Sequence, residues 1–230
     1  MAGTKSRISR ERKELISQYA TAAVSLYGVI SAEEFVAVFN HYEEAHTTVE
    51  EAMLALVHLA RTDDVEYSVF GEIISRPKFQ PKSDDYEDSV EDIRRSQRGK
   101  PHYLPSKEEF LKYLDFGYRE PEEPYAELKA YILKHKLNSR KEGLSGVDGN
   151  MFDLHAIIQF GASIKEELNY FQNARYRFKE PRELQEFINL VTNVHNHTRM
   201  FLNNGFTPDE IFEIQNRTRW NPTPKKLPKR

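Results

Sequence analysis

Residues 28–77 read GVISAEEFVAVFNHYEEAHTTVEEAMLALVHLARTDDVEYSVFGEIISRP. They contain most of the helices and strands that are predicted for the first domain. This stretch contains two helix starts of the same kind, at Ser31 and Thr48. In each, a Glu lies three residues after the hydroxyl, so the two side chains satisfy backbone N–H groups at the start of a helix. Apolar residues then recur at helical spacing. The stretch therefore predicts two helices, the second over 49–61.

A β-hairpin is predicted directly after these helices. Apolar residues alternate from Val65 to Val69 and resume after a glycine, a pattern typical of two short strands. Upstream, an amphipathic helix is predicted between the caps Ser9 and Gly28. Three helices followed by a short hairpin is the order of a winged helix-turn-helix. Residues 1–80 are therefore predicted to form a winged-helix-like domain.

The rest of the chain is predicted to be helical. Capping residues and apolar spacing predict helices at about 84–98, 106–117, 123–137, 151–160, 163–173, 181–203 and from 207 onward. Residues 138–150, rich in Gly, Ser and Asn, are predicted to be a loop. The expected fold is mainly α, with a helical domain over 81–220 behind the first module and a basic, Pro-containing tail over 221–230 that we expect to be flexible.

The composition excludes several classes of function. The chain has 36 acidic and 33 basic residues, and residues 1–80 carry 12 acidic against 8 basic groups. A non-specific nucleic-acid binder usually shows the opposite bias. The absence of cysteine excludes disulfides and thiolate metal sites. No apolar run approaches the roughly 20 residues that span a bilayer, and no signal peptide is visible. We therefore expect a cytoplasmic protein with no membrane contact.

The predicted helix over 49–61 is the one that would enter the major groove in a DNA-binding winged helix. It offers no Lys or Asn to read base edges, and Glu50 and Glu51 at its start would face phosphates unfavourably. A protein-contacting or structural role is therefore favoured. DNA binding stays open as the alternative, and its phosphate contacts would come from the basic start of the chain: Lys5, Arg7, Arg10, Arg12 and Lys13.

A polar stripe marks the predicted long helix over 181–203. At about 100° per residue, one face carries Asn189, Thr192, Asn196, Arg199 and Asn203, with His195 at its edge. Asn and Thr are poor helix formers, so their presence indicates specific hydrogen bonds. Two interpretations stay open. Thr192, His195, Asn196, Arg199 and Asn203 bind a partner or ligand in a groove, or they form a buried polar seam that holds the turn at Asn204–Gly205 and the last helix.

No pattern of catalytic or metal-binding residues is present. His195 and His197 are two residues apart, so on a helix they point to nearly opposite sides and cannot share one ion. The chain has no His-Glu-x-x-His pair, phosphate-cradling Gly-rich loop or nucleophile elbow. We therefore predict no catalytic residue, no cofactor and no metal. An enzyme with an unrecognised site near His195 and Arg199 stays open as an alternative.

Several short motifs resemble those of one protein group. They are Leu26-Tyr27-Gly28, Tyr103-Leu104-Pro105-Ser106-Lys107-Glu108-Glu109, Asn196-His197-Thr198-Arg199 and Asn203-Asn204-Gly205-Phe206-Thr207-Pro208-Asp209-Glu210. The chain thereby resembles uncharacterised helical proteins of low-GC Gram-positive bacteria and their phages. The resemblance implies a helical body, followed in some members by a zinc-binding SEC-C motif. We expect that motif to be absent because the chain has no cysteine. No activity is implied.

Taken as a whole, the sequence favours a non-enzymatic regulatory or protein-interaction protein. It would use a winged-helix-like module and the polar helix face, with a protein as its partner. A DNA-binding transcriptional regulator is the first alternative, and the enzyme is the second. A homodimer is left open.

Overall fold

A computed structural model describes residues 8–77, 86–137 and 143–220. In this part of the chain the α-helices are α1 (Arg10–Tyr27), α2 (Ala32–Tyr42), α3 (Val49–Thr62), α4 (Tyr86–Gln97), α5 (Lys107–Lys112), α6 (Glu123–His135), α7 (Gly143–Gln159), α8 (Ile164–Asn173), α9 (Pro181–His197) and α10 (Pro208–Trp220). The strands are β1 (Val29–Ser31), β2 (Ser68–Phe70) and β3 (Ile73–Ser75). The fold is therefore mainly α, as predicted. Lys5, Arg7 and the tail over 221–230 lie outside the described residues.

The chain forms two compact units. The first comprises Met1–Glu120 and Met200–Gly205, and the second comprises Pro121–Arg199 and Phe206–Arg230. The first unit thus continues beyond residue 80, where the sequence places a boundary. It does so because Phe110 and Tyr113 are buried in the same core as the first three helices.

Local capping sets the helix starts of the first unit. The Ser9 hydroxyl accepts a hydrogen bond from Arg12 N and opens α1. Ser31 and Glu34 form the predicted capping box at the start of α2. Thr48 caps α3 by accepting from Glu51 N. These contacts span only three residues, so the sequence predicts them well.

A small antiparallel sheet completes the first unit. Its strand order is β1-β3-β2, with Val29 opposite Ser75 and Ser68 also opposite Ser75. The predicted hairpin is confirmed as β2 and β3. Strand β1 was not predicted, because it has three residues and pairs with a strand more than forty residues away.

The core of the first unit is built on aromatic side chains. Tyr19 packs edge-to-face on Phe39 at 4.9 Å between ring centroids and stacks on Phe110 at 5.7 Å. The hydroxyl of Tyr27 donates to the carbonyl of Tyr103 at 2.7 Å. Tyr19, Tyr27, Phe39 and Phe110 are essentially inaccessible to solvent, so these rings fix α1 and α2 against the segment that carries α5.

The segment Met200–Gly205 belongs to this first unit and is held by the buried amide of Gln97. The Gln97 Nε2 donates to the carbonyls of Tyr27 and Phe201, at 2.9 Å each. The phenyl ring of Phe201 lies against Gly28, where a Cβ would approach its Cγ to 2.6 Å. Glycine is therefore required at position 28 for close packing as well as for its φ of 73°.

The second unit packs α6 to α10 around its own core. Val147, Met151, Leu154 and Ile158 of α7 are buried at helical spacing. The predictions of a loop over 138–150 and of a helix from 151 were therefore wrong for the described part, since α7 begins at Gly143. Burial of an apolar stripe that starts at Val147 outweighs the low helix propensity of the neighbouring Gly and Asn.

The predicted long helix over 181–203 was also wrong at its end, because α9 stops at His197. Thr198 has extended backbone angles, and its hydroxyl donates to the carbonyl of Val194 at 2.6 Å. A 3-10 turn over Phe201–Asn203 follows. None of the helices in the described ranges is long and apolar enough to cross a lipid bilayer.

Candidate functional site

Helix α3 presents one face to its core and another to solvent. Ala52, Ala55 and Leu56 are buried, and they anchor the helix in the first unit. The opposite side is formed by Glu50, Met53, Leu54, Val57, His58 and Arg61, which we call the α3 outer face. Glu50, Leu54, His58 and Arg61 are exposed, while Met53 and Val57 are half-buried. The spacing of these residues follows the helical period, so they form one continuous stripe.

The centre of the α3 outer face is apolar. Leu54 is 53% exposed. On the surface of α3 its neighbours within the stripe are Val57 and Met53. Phe70, on strand β2 of the same unit, is 41% exposed. A single exposed apolar side chain is ordinary, but a continuous apolar stretch bordered by charges is typical of a contact surface.

A groove runs along this face. Its volume is about 860 Å³, and its walls include the α3 outer face, Lys13 of α1, and Gly71 and Glu72 of the hairpin turn. Two of its charged side chains are basic, Lys13 and Arg61, and two are acidic, Glu50 and Glu72. The groove therefore has no excess of positive charge with which to hold a phosphate backbone.

The charges at the two ends of α3 are arranged by sign. Glu50 lies in the first turn and Arg61 in the last, where each interacts favourably with the helix dipole. Within the residues that the structure describes, neither side chain has a salt-bridge partner. Both charges are thus available to a molecule that approaches the outer face.

The basic residues predicted as nucleic-acid contacts are partly used inside the first unit. Arg12 pairs with Glu51 at 3.1 Å and donates to the carbonyls of Ala45 and His46. Its guanidinium also lies over the ring of Phe39. A side chain held in this way, with 18% of its surface exposed, is not free to contact phosphates.

Arg10 and Lys13 have different surroundings. Arg10 is highly exposed and forms a surface ion pair with Glu14 at 2.7 Å. Lys13 is half-buried beside the groove. Arg76, which follows β3, is half-buried, and its guanidinium lies 4.7 Å from the centre of the Phe116 ring. Of these residues, Arg12 and Arg76 are held against aromatic rings, whereas Arg10 is exposed.

The polar stripe predicted on one long helix is interrupted, because α9 ends at His197. Arg199 lies beyond the end of α9, is 6% exposed and donates to Glu210 of α10 at 2.9 Å. Asn203 belongs to the first unit, where its Oδ1 accepts from Lys100 Nζ at 2.9 Å. Thr192 donates to its own helix, at the carbonyl of Ile188. Each of these three side chains therefore forms a hydrogen bond within its own unit.

His195 and Asn196 complete the predicted set. The His195 Nδ1 lies 2.6 Å from the Oε1 of Glu167, which is fully buried on α8. Asn196 is half-buried, and its side chain makes no hydrogen bond within the described part of the chain. No group of three or more His, Asp or Glu side chains in the described ranges is arranged to hold a metal ion.

Sequence reasoning missed the α3 outer face. The signal was present, because Leu54 and Val57 lie opposite the small, core-facing Ala52 and Ala55 on a helical wheel. A helix with apolar residues on both sides needs either a second buried face or a partner. Gln97 and Glu167 were missed for a different reason, since only the tertiary fold buries them.

No family model, no curated protein and no solved structure matches this chain.

Proposed function

We propose that the chain is a non-enzymatic regulatory protein whose first unit acts as a winged-helix-like protein-contact module. The element order α1-β1-α2-α3-β2-β3, with β1 beside β3, supports this proposal. The single observation that carries the contact role is Leu54, more than half exposed at the centre of the α3 outer face. The proposal places the protein in the cytoplasm, which suits a chain without cysteine.

Contact with protein is favoured over contact with DNA by the chemistry of this face. An apolar centre gains free energy from burial against another apolar surface, at about 25 cal/mol per Å². A phosphate backbone offers no such surface and would meet Glu50 and Glu72. Arg12 and Arg76 do not compensate, because both guanidinium groups are engaged with aromatic rings inside the first unit.

The second unit adds no separate binding face to this proposal. His195 and Arg199 contact the carboxylates of Glu167 and Glu210, so we assign them a structural role within the second unit. The alternative of an enzyme near His195 and Arg199 receives no support from these contacts. The resemblance to uncharacterised Gram-positive and phage proteins adds no activity.

Photo-crosslinking at position 54 tests the protein-contact role. A benzophenone amino acid replaces Leu54, and a matched variant carries it at Leu104, which is 40% exposed in the same unit. Irradiation in cells is expected to give adducts at position 54 that protease removes and nuclease leaves intact. Adducts that nuclease removes, or equal labelling at both positions, would contradict the proposal.

Fluorescence anisotropy with a labelled random DNA duplex tests the regulator alternative. We expect no binding by the purified protein at about 50 mM salt, because the groove carries balanced charge. Tight binding that collapses at about 200 mM salt would reveal phosphate contacts and favour the DNA-binding regulator.

A further inference from the structure

The α3 outer face is complementary to itself when two copies meet antiparallel. In such a pair, with the two-fold axis at the level of the Ala55–Leu56 peptide, position 50 lies opposite position 61. Position 54 likewise lies opposite 57, whereas positions 53 and 58 lie on the two edges of the stripe and each comes nearest its own counterpart. Each pairing occurs twice, because a two-fold axis repeats every contact. In this register the acid at position 50 matches the base at position 61, and the apolar positions 54 and 57 match each other.

The matched pairs are chemically suited to each other. Glu50 of one copy would face Arg61 of the other at both ends of the interface, and Leu54 would pack on Val57 at its centre. Met53 and His58 lie on the two edges of the stripe, outside these matched pairs. The dipoles of two antiparallel helices also oppose each other, which is the favourable arrangement.

The helix dipole alone explains an acid at the start of α3 and a base at its end. It does not explain why the space between them holds an exposed Leu54 and a half-buried Val57. The groove walls add one more basic residue, Lys13, and one more acidic residue, Glu72, so the numbers of acidic and basic residues stay equal. A surface with equal numbers of both signs and an apolar centre suits a second copy of itself better than a strongly charged partner.

We propose that two copies of this chain associate through antiparallel α3 helices, with Glu50 against Arg61 and Leu54 against Val57 across a two-fold axis. This inference rests on the proposed protein-contact role of the α3 outer face and names its partner. Packed helices lie about 8–10 Å apart, whereas two recognition helices on a DNA duplex must lie about 34 Å apart. In a dimer of this kind α3 is covered by the second copy, so it cannot enter the major groove of DNA.

Charge reversal at the two ends of α3 tests the register. Wild-type protein is expected to sediment as a dimer at about 100 μM. In Glu50→Arg, two basic side chains face each other at both ends, and in Arg61→Glu two acidic ones do. Each single variant is expected to associate roughly tenfold more weakly, since two favourable pairs become two repulsive ones. Both positions are exposed, so the core is untouched.

The two weakened variants are expected to rescue each other when mixed. An equimolar mixture of Glu50→Arg and Arg61→Glu places opposite charges at both ends of the mixed dimer. Native mass spectrometry should therefore show mostly mixed dimers, and sedimentation should recover wild-type association. The proposal is overturned if neither reversal weakens association, or if the mixture stays as weak as the single variants.

The outcome for this dimer is separable from the outcome for the protein-contact role. A monomeric wild-type protein whose position 54 crosslinks to a different protein would overturn self-pairing and leave the contact role standing. A monomer that gives no protein adduct at position 54 would overturn both. An adduct between position 54 and position 57 of a second copy supports both.

Discussion

The carboxylate of Glu167 is fully buried in the second unit, and His195 provides its hydrogen-bond partner at 2.6 Å. Within the described residues, no donor reaches the second carboxylate oxygen of Glu167. When one partner of a buried pair is removed, the other is left buried without a partner or water to solvate it, and the folded state is destabilised. We expect His195→Ala to lower the free energy of unfolding by about 3 kcal/mol, measured by urea denaturation.

A double-mutant cycle supplies the control for this prediction. In a Glu167→Gln background the buried group is a neutral amide, so His195→Ala should cost clearly less than in the wild-type chain. Equal costs in the two backgrounds would show that His195 acts through packing alone. That result would reopen the binding interpretation of the sequence, because the pair would then not be what holds His195 in place.

We expect His102 to make the stability of the protein depend on pH. Burial lowers the pKa of His102 below its ordinary value of 6.5, while Glu34 acts to raise it and Arg94 to lower it. The folded chain therefore binds this proton less readily than the unfolded chain. The contribution of His102 to stability is complete above pH 6.5 and is lost as the pH falls through the lowered pKa.

The test compares the wild-type chain with His102→Phe, which keeps a ring against Tyr27 and does not titrate. Between about pH 7.5 and 5.5, wild type should lose more free energy of unfolding than the variant. Burial acts to raise the pKa of Glu34, but hydrogen bonds from Ser31 and Arg94 hold it below its usual 4.5, so Glu34 stays ionised in this window. Parallel pH profiles would rule out His102 as the source.

At the scale of elements, the contact between Gly28 and Phe201 joins the end of α1 to the segment Met200–Gly205 within the first unit. Gly28→Ala would force a Cβ to 2.6 Å from the Phe201 ring, at a φ of 73°. Gly71→Ala is the matched control, because Gly71 has a φ of 56° and open space around it. Gly28→Ala should cost roughly 2 kcal/mol more than Gly71→Ala in free energy of unfolding.

Combining Gly28→Ala with Phe201→Ala separates steric overlap from backbone strain. In the Phe201→Ala background the added cost of Gly28→Ala should fall to nearly that of Gly71→Ala, because the colliding ring is gone. If the cost stays unchanged, the backbone conformation at Gly28 carries the whole effect, and the close approach of the 3-10 turn is unimportant.

The elements also show why some of the fold follows from sequence and some does not. The starts of α2, α8 and α10 were predicted because Ser31, Ser163 and Thr207 each bond within three residues. The placement of Met200–Gly205 was not, since it depends on Gln97, which is more than one hundred residues away from Phe201. The end of α9 was mispredicted for the same reason, because Thr198 and Arg199 make tertiary contacts where the sequence predicted more helix.

At the scale of the whole molecule, self-pairing through α3 would couple folding to concentration. Association stabilises only folded chains, so the unfolding midpoint should rise by a few degrees for roughly each hundredfold increase in protein concentration. Leu54→Asp puts a charge at the centre of the interface and should make the midpoint independent of concentration.

Leu104→Asp is the matched control, since Leu104 is also an exposed leucine of the first unit but lies outside the α3 outer face. It should leave the concentration dependence intact. Differential scanning fluorimetry across a concentration series makes the comparison directly. A wild-type midpoint that does not move, or a Leu54→Asp midpoint that moves as far as wild type, would contradict the α3 dimer. The first result means that α3 remains unpaired at these concentrations, and the second means that copies meet through a different surface.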